Sequence, residues 1–215
     1  MVLVELGAVE PAADNARIEI LDVAATCFME RGYAATSIDD VARRLGATKG
    51  RIYHHFSSKA DLFAQIFRTG MDMNYEAVAP FRSMEGPAVE IWKKMAVAHT
   101  TQMVVTKAFQ RTVWEGVELH LRGSTTPEQR SQLNELVEYR THYGNIFREQ
   151  ISRARSEGDM AFDNLSIANQ IMFMTLNSPI FWYSQRPGEG DRDIHNIVEQ
   201  VVTFALRGLG GKTGL

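Results

Sequence analysis

The segment Thr36–Lys59, TSIDDVARRLGATKGRIYHHFSSK, restricts the fold more than any other part of the chain. Ile38, Val41, Ala42 and Leu45 recur at helical spacing, Gly46-Ala47 interrupts them, and Ile52 and Phe56 resume the apolar side. Thr36 or Ser37 can cap the first helix, answered by Asp39 or Asp40 three residues on. Gly46 supplies the backbone freedom that a sharp helix ending needs. The spacing therefore predicts a helix from Ser37 to Leu45, a tight turn, and a second helix from Thr48 to Phe56. This is a helix-turn-helix pattern.

The residues left outside that apolar face are rich in donors: Thr48, Lys49, Gly50, Arg51, Tyr53, His54 and His55, with Lys59 just beyond. Between Val41 and Lys59 stand Arg43, Arg44, Lys49, Arg51 and Lys59, with no acid among them, on a chain whose formal net charge is −3. Overall charge gives such a chain no attraction to nucleic acid, so a local cationic patch is the footprint to expect for phosphate. The plainer reading is a solvated basic face. Arg51 is the candidate base reader, since a guanidinium matches the two acceptors of guanine, and Lys49 is a second donor. Gly50 lets backbone approach a groove wall.

Gly32-Tyr33, Thr36-Ser37-Ile38, Val41-Ala42, Leu45-Gly46, Gly50, Ile52-Tyr53-His54-His55-Phe56 and Lys59 resemble the DNA-binding signature of the TetR family of transcriptional regulators. The likeness covers residues 17 to 67. It implies an all-α protein with a three-helix DNA-binding head and a C-terminal helical body that binds an effector and dimerises. It also implies that Thr36, Ser37, Tyr53, His54, His55 and Lys59 position the DNA backbone.

The remaining chain agrees with helices throughout. Residues 1–13 read as a loose arm, 14–57 as the head, 58–208 as the body and 209–215 as a flexible tail. Asp14 can cap a helix ending at Gly32, and Ser58 with Asp61 opens a fourth helix that reaches about Ala79, before breaks at Pro80 and Gly86-Pro87. Five more helices are expected over about 88–105, 107–121, 126–156, 165–184 and 192–207. The lone Cys27 excludes an internal disulfide and fits a reducing cytoplasm. No apolar run approaches the ~20 residues of a membrane span, and no secretory leader is evident. None of the six histidines sits in metal-ligand spacing, and there is no phosphate loop or nucleophile elbow, so neither an enzyme nor a cofactor is expected.

Residues 164–184 are apolar almost all round, and the last helix carries more than one apolar face. Such helices need covering on every side. Ile171, Met174, Phe181, Trp182, Ile194, Val198, Val201, Val202 and Ala205 are therefore candidates for pairing with a second subunit; burial inside a monomer is the alternative. Two heads would then meet two half-sites of a near-palindromic operator. Trp92, Met95, His99, Met103, Trp114, Glu118, Arg140, Tyr143, Phe147, Phe173 and Asn177 are candidates for an effector pocket, although Met and aromatic stripes are ordinarily plain core. The resemblance implies a small hydrophobic effector that releases a repressor from DNA. Tyr139-Arg140, Tyr143, Phe147-Arg148 and the later WYSQRPGEG are similar to regulators of fatty-acid or acyl-CoA breakdown. A drug, an aromatic metabolite or control by a protein partner fits the same composition.

Overall fold

The structure is a computed structural model and describes residues 11–123 and 126–211, with side chains from residue 15 onward. Ten helices follow one another, and no strand occurs among the described residues. They are α1 (Pro11–Ala35), α2 (Ile38–Leu45), α3 (Lys49–His55), α4 (Lys59–Arg82), α5 (Ala88–Val105), α6 (Lys107–Arg122), α7 (Pro127–Ser156), α8 (Leu165–Asn177), α9 (Pro179–Trp182) and α10 (Asp191–Gly208). No helix among the described residues is long and apolar enough to cross a membrane.

Local chemistry sets most boundaries. Ser37 caps α2 in a reciprocal box with Asp40, whose carboxyl is held down to about 2 by hydrogen bonds from the Ser37 hydroxyl and backbone. Gly46 closes α2 at φ 66°. Thr126, Pro127 and Gln129 start α7 with another reciprocal box. Gly32, at φ 79° and ψ 163°, breaks α1 as expected, but one further turn follows it to Ala35. The helix also begins at Pro11, inside the expected arm; residues 1–10 and the Asp14 side chain lie outside the described residues.

The α5 boundaries are the expected 88–105, with Pro87 as its cap and the Glu157 carboxylate accepting the Ala88 N–H at 2.7 Å. Two boundary expectations need correction. The fourth helix runs through Pro80 to Arg82, because a proline this near the end removes a single ladder bond. The tail does not start at 209: Leu209 is buried, its carbonyl accepts the Ala161 N–H at 2.9 Å, and Gly211 packs against Leu206. The rest of that tail, 212–215, is outside the described residues.

Two apolar cores form. The head core joins Ile20, Ala24, Cys27 and Phe28 of α1 to Ile38 and Val41 of α2, Ile52 of α3, and Leu62, Phe63 and Ile66 of α4. The body core gathers Phe67, Met71 and Val78 of α4 with Trp92 and Met95 of α5, Phe147 and Ile151 of α7, Leu176 of α8 and Val202 of α10. α4 thus belongs to both. α6 crosses α4 closely: a Cβ on Gly116 would lie 2.5 Å from the Phe67 ring, and one on Gly70 would lie 3.0 Å from Val113. Only residues without side chains let these axes approach so near.

Candidate functional site

The outer face of α3 is made by the turn that precedes it. Ile52 and Phe56 are buried in the head, so Thr48, Lys49, Gly50, Arg51, Tyr53 and His54 face outward and His55 is half-buried. A Cβ added at Gly50 would meet only the Thr48 hydroxyl, at 3.6 Å. Nothing inside the protein therefore demands glycine there, although glycine in a helix costs about 1 kcal/mol relative to alanine.

The cations of this face are not unopposed, as the linear sequence suggested. Arg51 Nη2 lies 2.6 Å from Glu19 Oε2 of α1, and Lys49 Nζ lies 2.7 Å from Asp39 Oδ2 of α2. The hydrogen bond to Asp39, followed by its charge, raises the Lys49 pKa. Arg44 pairs with Glu30, and Arg43 shares Asp40 with Arg31. Folding brings in these acids from α1 and α2.

Two of the residues expected on DNA are committed elsewhere. Thr36 is only 1% exposed, and its hydroxyl donates to Gly32 O at 2.8 Å, so it reaches no external phosphate. Lys59 is half-buried: Nζ donates to Tyr33 O at 2.9 Å and Thr36 O at 3.0 Å and sits 4.4 Å from the Tyr33 ring centre. It fastens the start of α4 to the 33–36 bend. Ser37 is exposed at the head of α2, its hydroxyl bonded to Asp40. On the other side of that bend, Glu115 of α6 accepts the Tyr33 N–H at 2.5 Å, and burial raises its pKa.

In the body, a cavity of about 290 Å³ lies among α4, α5, α6, α7, α8 and α9. Of the residues expected there, His99, Met103, Trp114, Arg140, Tyr143, Phe173 and Asn177 line it. Four do not. Trp92 is fully buried with its indole N–H on Met172 Sδ at 3.2 Å, and Met95 is fully buried core. Phe147 stands behind the wall, against the rings of His99, Tyr143 and Phe173. Glu118 accepts the Trp114 indole N–H at 3.2 Å and pairs with Arg122, so it orients a lining residue from outside.

The cavity is more polar than expected. His99 Nδ1 is 2.9 Å from the Tyr143 hydroxyl and Nε2 is 2.8 Å from Asn177 Oδ1. Burial pushes the imidazole pKa down to about 4, so the ring is neutral and carries one N–H. With that N–H on Nε2 donating to Asn177, the Tyr143 hydroxyl donates to Nδ1. Arg140 lines the wall without a hydrogen bond or ion pair among the described residues, and desolvation lowers its pKa. No Asp or Glu lines the cavity.

Several lining residues escaped the sequence reading: Asn74 of α4, Gln110 of α6, Thr141 and Asn145 of α7, and Ser166, Asn169 and Gln170 of α8. A signal for the last group existed. Ser166, Asn169, Gln170, Phe173 and Asn177 recur at i, i+3, i+4, i+7 and i+11, a mostly polar stripe along a helix whose other faces are apolar.

The opposite side of α8 is exposed and apolar. Ile171 (61% exposed), Met174, Phe181 and Trp182 remain open, together with Ile167 and, on α10, Phe204 at 72%. Val198, Val201, Val202 and Ala205 of the expected interface are instead buried, because α10 turns that face onto α5 and α8 of its own chain. Ile194 is half-buried against the same core.

The sequence profile for "Bacterial regulatory proteins, tetR family" matches residues 20–66, and that for "Tetracyclin repressor-like, C-terminal domain" matches residues 92–209. The chain is similar to the HTH-type transcriptional repressor KstR2 of Rhodococcus jostii, at 26% identity over 195 residues and 90% of each chain. Its fold matches the ketosteroid transcriptional regulator KstR2 of Mycobacterium tuberculosis with a TM-score of 0.76, at 20% identity, over 96% of this chain and 98% of that one. It also matches AibR, solved in complex with isovaleryl coenzyme A and operator DNA, with a TM-score of 0.69 at 21% identity, over 92% of this chain and 100% of AibR.

Proposed function

This chain belongs to the TetR family of transcriptional regulators, and on that premise we propose that it is a homodimeric repressor released from a near-palindromic operator by a small acyl effector, a fatty acid or acyl-CoA. Each α3 enters a major groove. Arg51 and Lys49 reach base edges, while Ser37, Thr48, Tyr53, His54 and His55 set the register on phosphate. An unneeded glycine at position 50 is accounted for by a DNA wall approaching from outside.

The observation that carries the reading is the double membership of α4. Leu62, Phe63 and Ile66 are head core, while Met71 and Asn74, two and three turns on, line the cavity. A ligand that prefers a shifted α4 therefore displaces the heads from operator spacing. Reciprocity requires operator DNA to weaken ligand binding by the same factor.

The exposed Ile167, Ile171, Met174, Phe181, Trp182 and Phe204 support dimerisation, since an apolar patch of that kind on α8, α9 and α10 calls for a cover. The apolar wall of Met71, Met103, Val113, Phe173 and Ile180 suits an acyl chain, and Arg140, with no acid beside it in the wall, suits an acidic group. AibR, which shares the fold, was captured with an acyl-CoA and its operator.

The test is sedimentation of the protein with and without the DNA flanking its own gene, followed by titration with isovaleryl and longer acyl-CoAs. Two subunits per duplex half-site pair, with salt-sensitive binding reversed by one of these ligands, is expected. A monomer on DNA, or equal affinity for scrambled duplex, would overturn the reading.

A further inference from the structure

Asn74, one of the residues lining the cavity, carries an acceptor whose orientation the surrounding bonds decide. Gln110 Nε2 donates to the backbone carbonyl of Gly70 at 3.1 Å, and that carbonyl can only accept. The amide of Gln110 is thereby set, so its Oε1 faces Asn74 and receives the Asn74 Nδ2–H at 2.9 Å. Asn74 Oδ1 is then the atom left over. It has no hydrogen-bond partner, and Asn74 is 2% exposed. Rotating the Asn74 amide would set oxygen against oxygen at Gln110.

Asn169, on the facing helix α8, likewise lines the cavity with an unpartnered, buried Oδ1. His99, Tyr143 and Asn177 satisfy one another, since both ring nitrogens of His99 are engaged by Tyr143 and Asn177. Buried acceptors are ordinarily paired. Half-buried Arg140 has the opposite need, for a negative acceptor, and no acid of the cavity wall meets it.

We propose that the effector carries two polar ends: an acid group for Arg140 and, buried against Asn74 Oδ1, a hydroxyl or N–H donor. This narrows the acyl effector proposed above, and rests on that reading, from a plain alkyl acid to one substituted by a donor along its chain. A plain fatty chain would lie against Asn74 Oδ1 and seal it from any donor. Sites built around a buried polar group reject the analogue that lacks its counterpart by large factors.

Calorimetric titration of the full chain with straight-chain acids of four to ten carbons, their ω-hydroxy counterparts and the corresponding α,ω-diols tests this. At the best-fitting length the ω-hydroxy acid should bind at least tenfold more tightly than the plain acid and the diol. Arg140→Gln should remove the advantage over the diol, and Asn74→Leu the advantage over the plain acid. The wild-type comparison stands alone if either variant fails to fold. Plain acids binding as tightly as hydroxy acids would overturn the inference, with a water serving Asn74, and would leave the acyl-effector reading intact. Failure of every probe to bind would overturn it too. If acyl-CoAs then also failed to release operator DNA, the effector reading would fall separately.

Discussion

Replacing Lys59 separates two roles that are indistinguishable in the linear sequence. If its ammonium were a phosphate contact, Lys59→Met would weaken binding to all duplexes and lower the salt slope of binding by about 1. The structure directs two of the three N–H bonds inward, to Tyr33 O and Thr36 O, with the charge over the Tyr33 ring. Hydrogen bonds from a charged donor contribute about 1.5–3 kcal/mol each, and a cation–π contact at a partly exposed site about 0.5–1 kcal/mol. Lys59 is half-buried, so water replaces part of what is lost, and the expected cost is about 2 kcal/mol. Methionine keeps most of the aliphatic stem, so packing changes little. For a chain of this length that cost corresponds to a fall in Tm of roughly 4–8 °C. Thermal unfolding followed by circular dichroism, paired with fluorescence anisotropy on operator DNA between 50 and 200 mM salt, reads both quantities. An unchanged Tm together with a salt slope reduced by one unit would refute the fastening role and restore the phosphate contact.

Glu19→Gln combined with Asp39→Asn frees Arg51 and Lys49, and should raise affinity for non-specific duplex several-fold while leaving thermal stability nearly unchanged, because exposed pairs stabilise little. Filter binding against random DNA checks it, and no gain would mean that the acids do not screen the face. Gly116→Ala places a methyl group against the buried Phe67 ring; overpacking of about 1–3 kcal/mol should outweigh the helix-propensity gain of about 1 kcal/mol, so a variant more stable than wild type in urea would contradict the close α4–α6 crossing. His99 stays neutral down to about pH 4 when folded but takes a proton near 6.5 when unfolded, so its contribution is complete above about pH 6.5 and is lost as pH falls towards 4. The wild-type advantage over His99→Gln should therefore shrink between pH 7 and pH 4.5, and a difference independent of pH would show that the imidazole titrates in the folded chain.

Much of the head was legible because its signals are local. A cap, an acid three residues on and a glycine at the turn act within one or two helical turns, so Ser37, Asp40 and Gly46 announce their geometry without help from the rest of the chain. The inward side of α3 follows from the spacing of Ile52 and Phe56 in the same way. The acids that pair with Arg51 and Lys49 were not legible, since Glu19 lies 32 residues away from Arg51 and only the packing of α1 against the head brings it there. Cavity residues fell between these cases. The aromatic and titratable members stood out by type, but Asn74 and Gln110 look like ordinary helix surface until α4 and α6 cross.

Periodicity and capping alone determined that this chain is a string of helices with a helix-turn-helix near its start, because those preferences are settled by neighbours within a few residues. Which faces of α8 and α10 are covered, where Lys59 spends its hydrogen bonds, and the orphaned oxygen of Asn74 were decided only by tertiary packing. Such properties depend on groups that chain connectivity keeps far apart, and burial gives them their energetic weight.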